Sequence, residues 1–560
     1  MKFKMHRKWL INRTNKAYIS YLSNASSISP AISQVMINRG IKTPSEVKDF
    51  LSPDIRAMSE PFEIEGIRGA VEAVIDAKNA GKKILVYGDY DADGLTATSI
   101  MVSCLRRLGA DVSYFIPNRF LHGYGFNLNA ISLAKEISAS LIITVDCGIT
   151  SFEAVESAKK EGIEVIITDH HEPIRVGSQA KVPLAHSVIN PKLNGSQRTF
   201  HLSGSGVALK VAQALGMDTY EFLDLTAIGT VADMVPLTGE NRVIVKEGLS
   251  IIEKAIKPGI KALSSVSGLE GREIKANTLS YTIIPRINAP GRLSDASDVV
   301  ELLLSEDEDV AFRIAKGMDK INSDRQKIEE SVYNSAYRML GQMPLTSAIV
   351  LWAEGWHEGV IGIVAGKIAD AFKRPTFILS IKDGVAKGSA RSIPQFDIHK
   401  GLSDCKGLLM AFGGHPQAVG LRLSIDNLNP FKEKITAIVE SEVKDFIPAL
   451  EIDAHIDINE ITFGLVREIS SLEPFGYGNS EPIFGSKNLT PINPRVVGEK
   501  HLKMKLKGNG KAVEAIGFDM GGFMEKLEES DTIDAAYTVN INEWEGGRTL
   551  QLNLKGLRAQ

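Results

Sequence analysis

Short apolar runs alternate with longer stretches of helical periodicity between residues 66 and 235. The runs are rich in isoleucine and valine, as strands buried on both faces of a parallel sheet usually are. They cover residues 83–87, 112–116, 141–145 and 165–168. Helix-periodic segments, such as residues 96–108 and 151–161, separate them. The pattern predicts right-handed βαβ units in an open α/β sheet, whose ligands would lie beyond the carboxyl ends of the strands.

The pattern changes three times after residue 300 and predicts a multidomain α/β protein. Residues 301–343 are charged and helix-periodic, which indicates a long connecting helix. Residues 344–445 return to an α/β pattern and predict a second, smaller domain. Residues 446–560 alternate apolar and polar positions between turn residues, as a small β-barrel does. We assign residues 66–300 to the first α/β domain and expect residues 1–65 to pack on it.

Composition and charge exclude some classes of protein but do not indicate a function. Apolar residues make up 44% of the chain and charged residues 24%, the usual balance for globular domains. No apolar run approaches the ~20 residues needed to cross a bilayer, so we expect no membrane association. The three cysteines lie far apart in sequence, which favours a reducing cytoplasm. The net charge of −4 does not indicate a nucleic-acid partner, so evidence for one has to come from individual sites.

The first sixteen residues carry six lysines and arginines and no acidic residue. A targeting peptide would need an apolar central region or a small-residue cleavage site, and this stretch has neither. We therefore predict a surface strand or arm.

Carboxylates and imidazoles follow three of the predicted strands. The first run leads into Gly88-Asp-Tyr-Asp-Ala-Asp-Gly94, the third into Asp146 and the fourth into Asp169-His-His171. Alternating acids by themselves fit a polar turn as well as a metal site, and an EF-hand loop is excluded because its twelfth position is Ile100. A single strand-end aspartate usually caps a helix. Three such ends at one edge of a sheet indicate a metal site.

Asp233 adds an acid to the otherwise apolar stretch 227–235, where burying an unpaired charge would be costly. There are then seven candidate ligands: Asp89, Asp91, Asp93, Asp146, His170, His171 and Asp233. One octahedral ion cannot use seven ligands, so the sequence predicts two ions. A pair of ions about 3.5 to 4 Å apart suits phosphoester hydrolysis. Ligands that are mostly oxygen favour Mn²⁺ or Mg²⁺ over structural zinc.

The same residues resemble the motifs of the DHH phosphoesterase superfamily. The matching stretches are 89–94, 145–149, 169–171 and 229–235, and the stretches 117–125, 285–292, 356–363, 387–392 and 412–415 are similar to its single-strand-specific DNA exonucleases. The likeness covers nearly the whole chain. It implies a DHH catalytic domain, a long helix, a DHH-associated domain and a C-terminal OB-fold. The implied reaction is 5′→3′ hydrolysis of single-stranded DNA to 5′-mononucleotides, by a metal-bound hydroxide, in DNA recombination and repair.

The resemblance also implies roles for individual residues of the metal site. Asp146 would bridge the two ions, and His171 would contact the scissile phosphate. Asp169 would orient an imidazole. Related phosphatases carry a histidine where this chain has Tyr87, so the corner around Asp89 departs from their pattern. The implied metal ligands are Asp89, Asp91, Asp93, Asp146, His170 and Asp233, and the implied catalytic residues are Asp93, Asp146, His170 and His171.

Substrate contacts are implied in three places. Arg119, Ser389 and Arg391 would hold a terminal 5′-phosphate, for which arginine forks and hydroxyl donors are suited. Arg286, with Arg292, would line the path of the DNA backbone. The DHH-associated domain would contribute Gly413, Gly414 and His415.

Two further stretches are interpreted from their own residues. His501, Lys503, Lys505 and Lys507 alternate with apolar residues, so they form either a basic stripe that tracks single-stranded DNA, beside Phe475 and Tyr477 as stacking rings, or a plain solvated strand face. Gly204-Ser-Gly206 lacks a preceding strand and a third glycine, so it is no dinucleotide fingerprint. Its amides are compatible with phosphate binding.

Two alternative functions stay open. The first is a DHH phosphodiesterase acting on short oligoribonucleotides or cyclic dinucleotides, although such relatives generally lack the long C-terminal segment. The second is a non-catalytic single-strand-binding scaffold, although such scaffolds usually have lost several ligands. For the exonuclease, the expected partners are single-stranded DNA, a single-strand-binding protein and a RecQ-type helicase.

Overall fold

The structure is a computed structural model that describes residues 7–12, 14–123, 125–194, 196–544 and 547–559. Residues 1–6 and 13 of the basic N-terminal stretch lie outside these ranges. The chain divides into two compact units. The larger comprises Trp9–Ile287, Ala296–Ala315 and Ala449–Gln560, and the smaller comprises Met1–Lys8, Asn288–Asp295 and Lys316–Pro448.

Five parallel strands form the sheet of the first α/β domain, which confirms the predicted fold class. In spatial order they are Val112–Phe115, Lys83–Tyr87, Ala139–Val145, Glu164–Thr168 and Ser187–Ile189. The last of these is only three residues long and was not predicted from the sequence. The strand order reverses at Lys83–Tyr87, since the second strand lies on one side of it and the third on the other. Doubly wound sheets bind their ligands at such a reversal.

The helix after the first strand begins four residues before its predicted start. It spans Ala92–Arg107, because the Asp91 carboxylate caps it by accepting the backbone N–H groups of Asp93 and Gly94. The other helices of this domain are Ile67–Asn79, Leu128–Glu136, Phe152–Lys160, Pro191–Asn194, Gly204–Ala214, Leu223–Ala232, Gly239–Lys254, Pro258–Val266, Ala276–Tyr281, Ile283–Leu293 and Ser297–Leu304.

The segment predicted as one connecting helix contains a break. Ser297–Leu304 ends before it, and a helix of 34 residues, Glu308–Gly341, begins after it. The Asp307 carboxylate accepts the N–H groups of Asp309 and Val310 and so starts the long helix.

The smaller unit is built on a five-stranded mixed sheet. In spatial order its strands are Ala411–His415, Ala418–Ser424, Val385–Arg391, Thr376–Lys382 and Ile349–Glu354, and the last two are parallel. Its helices, besides the long one, are Glu358–Phe372, Ile398–Asp404 and Leu428–Glu442. Alternate residues of Val385–Arg391 are buried, so this strand turns one side chain in two away from the core.

A closed five-stranded barrel forms the C-terminal domain, as predicted. Its strands are Phe484–Val497, His501–Gly508, Lys511–Gly517, Gly547–Ala559 and Ile533–Trp544, and the last pairs with the first. Helix Phe463–Ser471 precedes the barrel. Leu502, Met504 and Leu506 are buried in its core, so the lysines between them lie on the other face of that strand.

The N-terminal segment divides its contacts between two domains. The prediction is that residues 1–65 pack on the first α/β domain. Ser59 contacts that domain, because its carbonyl accepts a hydrogen bond from Lys210 Nζ at 2.7 Å. The helices Lys16–Ser26, Pro30–Asn38 and Pro44–Leu51 instead share a hydrophobic core with the barrel domain, since their apolar residues, such as Ile32 and Met36, are fully buried there. Among the described residues, no helix combines the length and apolarity required to cross a bilayer.

Candidate metal centre

The three acids after the first strand are held in different ways. Asp89 is 3% exposed, and its carboxylate accepts the N–H of Tyr90 at 2.7 Å. Asp91 is exposed and caps the following helix. Asp93 is 1% exposed and accepts the N–H groups of Gly204 at 2.6 Å and Ser205 at 2.9 Å. The amides of the Gly204-Ser-Gly206 stretch therefore serve a carboxylate of the site itself, which the sequence did not indicate.

Glycines let the backbone approach these carboxylates closely. A Cβ atom on Gly204 would lie 2.5 Å from Asp146 Oδ1, and one on Gly229 would lie 2.5 Å from Asp93 Oδ1. Any side chain at either position would displace a carboxylate.

Asp146 and His170 bring two buried polar atoms, Oδ1 and Nε2, close together. Asp146 lies in the left-handed region, with φ 61°, at the turn after the third strand, a conformation that costs free energy and often marks functional residues. Its Oδ1 lies 3.1 Å from His170 Nε2. Among the described residues, neither of these buried atoms has a hydrogen-bond partner of acceptable geometry. A cation between them would satisfy both lone pairs.

The candidate ligands form three overlapping groups. In each group, the ligand atoms all lie within 4.8 Å of one another. His170 belongs to two of the groups, and Asp146 also belongs to two. The groups are Asp146 with His170 and His171, Asp93 with His170 and Asp233, and Asp89 with Asp91 and Asp146. All seven predicted ligands are thus brought together, and their oxygen-rich donor set fits hard divalent cations.

The electrostatics of the cluster show how strongly it needs positive charge. Burial and the neighbouring Asp91 carboxylate raise the pKa of Asp89 to about 8. Burial and the carboxylates of Asp93 and Asp91 raise the pKa of Asp233 to about 8, and burial raises that of Asp146 well above its usual range. Burial lowers the pKa of His170 well below its ordinary value, so its imidazole is neutral and fit to bind metal.

His171 differs from His170 because Asp169 holds it. The Asp169 carboxylate accepts from the backbone N–H of His171 at 3.0 Å and lies 2.8 Å from its Nδ1, while its other oxygen accepts from Ile149 N–H at 2.8 Å. Burial disfavours a charged imidazole, but the Asp169 carboxylate outweighs it and raises the pKa of His171 to about 9. The contacts with Asp169 therefore orient the His171 imidazole and favour its charged form.

Tyr87 does not replace the histidine of the related phosphatases. Its side chain is fully buried in a hydrophobic cluster with Phe115 and Phe126. Its hydroxyl donates to the Gly125 carbonyl at 3.2 Å. The Asp89 corner thus offers carboxylates without an imidazole from the first strand.

Two residues that the sequence did not indicate follow the fifth strand. Asn190 is buried and donates from Nδ2 to the His171 carbonyl at 2.9 Å. Lys192 forms an ion pair of 3.2 Å with Glu172, the residue after His171, and its charge helps to lower the pKa of His170, after burial and His171. The signal was the short run Ser187–Ile189, which ends at Asn190 and a proline.

Arg119 and Arg286, two predicted substrate contacts, lie in the larger unit in different settings. Arg119 stacks over the Tyr90 ring at 5.1 Å, and its charge partly offsets the raised pKa of Asp89, so it lies beside the metal site. Arg286 donates to the carbonyls of Thr282 at 2.8 Å and Val266 at 3.3 Å. These bonds tie its guanidinium to the surrounding helices.

Five further predicted substrate contacts form a cluster in the smaller unit. Arg391 donates to Ser389 Oγ at 3.1 Å. Across the sheet, Ser389 aligns with Gly420 and Gly413, and Arg391 aligns with Ala418 and His415. Gly413, Gly414 and His415 are exposed. We call this the sheet-face cluster: Ser389, Arg391, Gly413, Gly414 and His415.

The barrel residues differ in accessibility. Lys505 pairs with Glu514 at 3.2 Å, and Lys503 is half-buried. Phe475 packs against the barrel core, whereas the Tyr477 side chain is 62% exposed. Of the two candidate stacking rings, Tyr477 is the accessible one.

Three known domain families match the chain in this order. Residues 83–230 match the DHH family, N-terminal domain; residues 345–441 match the DHHA1 domain; and residues 452–556 match the RecJ OB domain. The predicted catalytic, DHH-associated and OB-fold architecture is therefore confirmed.

Full-length relatives give the same result. The chain is 37% identical to the single-stranded-DNA-specific exonuclease RecJ of Bacillus subtilis over 98% of its own length and 70% of the relative's. It is 32% identical to the RecJ exonuclease of Escherichia coli, over 94% of this chain and 95% of that one. A crystal structure of Thermus thermophilus RecJ in complex with Mn²⁺ superimposes with a TM-score of 0.86 at 32% identity, over 99% of this chain and 80% of that one. The chain therefore belongs to the RecJ family of single-stranded-DNA-specific exonucleases.

Proposed function

We propose that this protein is a metal-dependent exonuclease that hydrolyses single-stranded DNA from the 5′ end to 5′-mononucleotides. The observation that carries the proposal is the set of overlapping acidic and histidine groups at the reversal of strand order. Support comes from relatives named as single-stranded-DNA-specific exonucleases and from similar structures solved with Mn²⁺ and with Mg²⁺. We propose Mn²⁺ or Mg²⁺, two ions, as the cofactor.

The ligand groups divide naturally between two ions. Asp89 and Asp91 would hold one, and Asp93, His170 and Asp233 the other. Asp146 would bridge them, since its group with Asp89 and Asp91 and its contact with His170 reach both. Two bound divalent ions would acidify a water and stabilise negative charge on the phosphate oxygens.

His171 would act on the substrate itself. The Asp169 carboxylate lies 2.8 Å from Nδ1 and raises the pKa of His171 to about 9, which favours the protonated imidazole that would donate from Nε2. The side chain is 28% exposed, so a phosphate oxygen can reach it. We propose that His171 holds the scissile phosphate and stabilises charge that develops on it.

Recognition of the strand and its end would involve other parts of the chain. We propose the sheet-face cluster as a contact to a terminal phosphate, Arg119 as a substrate contact beside the metal centre, and Lys503 and Lys505 as contacts to the strand backbone. A single-strand-binding protein and a RecQ-type helicase are the proposed protein partners. The three free, buried cysteines support work in a reducing cytoplasm.

The test is degradation of one DNA strand labelled at either end, in the presence of Mn²⁺. We expect the 5′-labelled strand to release labelled mononucleotide at once and the 3′-labelled strand to shorten steadily. Loss of label from the 3′ end first would contradict the proposed polarity. Faster consumption of short RNA or cyclic dinucleotides would favour the phosphodiesterase alternative, and an inactive protein that binds the strand would favour the scaffold.

A further inference from the structure

Asp233 is positioned differently from the three acids that follow the first strand. Asp93, Asp89 and Asp91 all accept backbone N–H groups. The Asp233 carboxylate has no such donor among the residues that the structure describes, and its Oδ2 lies 3.6 Å from His170 Nε2. Its place is therefore set by the course of its own backbone.

That backbone leaves a helix and enters an exposed turn. Asp233 ends helix Leu223–Ala232, with its N–H bonded to the Gly229 carbonyl at 3.0 Å. Met234 follows in the left-handed region, with φ 55°, and its side chain is 68% exposed. The helix fixes one side of Asp233, so the other side depends on what holds Pro236 and Leu237.

A turn from the C-terminal domain holds that side. Leu237 N–H donates to the Tyr477 carbonyl at 2.8 Å. The backbone of Gly476 and Gly478 packs directly on this segment, since a Cβ on Gly476 would lie 2.6 Å from Leu237 Cδ1 and one on Gly478 would lie 2.8 Å from Pro236 Cβ. From the catalytic domain, Asn241 Nδ2 donates to the Pro236 carbonyl at 3.1 Å.

The turn that makes these contacts is itself rigid. Gly476 and Asn479 exchange backbone hydrogen bonds of 2.9 and 3.1 Å. The Asn479 side chain is 1% exposed and donates to the carbonyls of Leu472 at 2.9 Å and Pro474 at 2.8 Å. Because these hydrogen bonds close the turn, its position relative to the rest of the C-terminal domain is fixed.

A buried arginine fixes the base of the turn to the catalytic domain. Arg242, 2% exposed, donates to the carbonyls of Leu472 at 2.8 Å and Ser471 at 3.1 Å, which end helix Phe463–Ser471. It also stacks over Phe50 at 3.9 Å. The helix before the barrel is thus attached beside Asn241, the other anchor of the Pro236 segment.

We propose that the turn of residues 474–479 is a positioning element of the metal centre, which holds the Asp233 carboxylate in place through Pro236 and Leu237. The barrel domain then contributes to metal binding as well as to contact with DNA. This inference rests on the proposed metal centre and is independent of the substrate and its polarity.

The test compares two pairs of glycine substitutions. Gly478→Ala pushes on Pro236, and its control Gly510→Ala shares a left-handed glycine, φ 85° against 72°, with nothing within 4 Å. Gly476→Ala pushes more gently on the Leu237 side chain, and its control Gly522→Ala also has nothing within 4 Å. Mn²⁺ affinity is measured on each full-length protein by the electron paramagnetic resonance of free Mn²⁺, with unfolding temperature measured alongside.

We expect Gly478→Ala to weaken Mn²⁺ binding about ten- to a hundredfold, as loss of outer support for a ligand does, and Gly476→Ala to weaken it less. Saturating Mn²⁺ should restore hydrolysis. Mn²⁺ affinities of folded Gly478→Ala and Gly476→Ala equal to those of their controls would overturn the inference. Should Gly478→Ala not fold, the Gly476→Ala pair decides. A wild-type protein that binds no Mn²⁺ would instead overturn the metal centre and the proposed function.

Discussion

The metal centre and the sheet-face cluster handle charge in opposite ways. The metal centre buries Asp89, Asp93 and Asp146 almost completely, so its carboxylates have raised pKa values and require cations. The sheet-face cluster exposes glycine backbone and His415 around Arg391. Buried carboxylates in a fixed geometry favour cations, whereas a guanidinium beside exposed backbone would suit an anion. The edge of the parallel sheet is therefore suited to cations, and the face of the mixed sheet is suited to an anion.

The largest effect is expected from removing the acid shared by both ions. Asp146→Ala should reduce hydrolysis about a thousandfold or more, because metal-ion catalysis is worth several kcal/mol of transition-state stabilisation. Single-turnover degradation of a labelled strand measures this. Binding of the strand should be largely retained, and Asp76→Ala, an exposed acid on a nearby helix, should leave the rate unchanged. Near-normal hydrolysis by Asp146→Ala would contradict a catalytic role for the metal centre.

Metal removal should make the stability of the protein depend on pH. In the folded protein the pKa values of Asp89 and Asp233 are about 8, above their ordinary value of 3.8. The contribution of these two carboxyl groups to the free energy of unfolding is therefore present at low pH and is lost as pH rises through about 8. With EDTA, the unfolding temperature should therefore fall between about pH 6 and pH 8, and Mn²⁺ should raise it most at the higher pH. Asp233→Asn should weaken this dependence. A metal-free protein that becomes more stable over the same range would contradict the predicted shifts.

An intermediate effect is expected at the sheet-face cluster. Arg391→Ala should raise KM for a 5′-phosphorylated strand about tenfold or more, since hydrogen bonds to a charged group are worth about 1.5 to 3 kcal/mol. It should change KM for a 5′-hydroxyl strand much less. Arg422→Ala, an exposed arginine on the neighbouring strand, serves as the control. Equal losses on both substrates would show that the cluster does not bind a terminal phosphate.

The smallest effect is expected on the barrel, where Lys503 is half-buried and Lys505 is paired with Glu514. Lys503→Ala with Lys505→Ala should weaken binding of single-stranded DNA a fewfold and lower the salt dependence by about 1.4 in log–log slope, at ~0.7 per phosphate contact. Fluorescence anisotropy across a salt series measures both. The exposed pair Lys82→Ala and Lys159→Ala should change neither quantity. An unchanged slope in the barrel variant would favour a plain solvated strand face.

Local pattern predicted the fold well where elements are long or strongly periodic. The first four strands of the parallel sheet and the alternation over Leu502, Met504 and Leu506 were recovered because burial on one or two faces imposes a simple period. The three-residue strand Ser187–Ile189 is too short to show a period. The break before Glu308 depends on one capping aspartate, and the earlier start at Ala92 depends on another.

The sequence predicted which candidate ligands lie together, but not the contacts that each one makes. Their positions followed from strand ends, since parallel strands deliver their carboxyl ends to one edge. That Tyr87 is buried with phenylalanines, that Arg286 is bonded to helix carbonyls, and that the Gly204 amide serves Asp93 all depend on packing between distant segments.

The sequence by itself determined which residues are candidate ligands, the sheet that carries them and the order of the domains. These follow from side-chain identity and from local periodicity, which act over a few residues. Only the tertiary structure decided which carboxylates are buried, which imidazole is neutral and which is charged, and that a turn near residue 477 supports the segment after Asp233. Desolvation and hydrogen bonding are set by neighbours far apart in the chain, and local patterns carry no information about those neighbours.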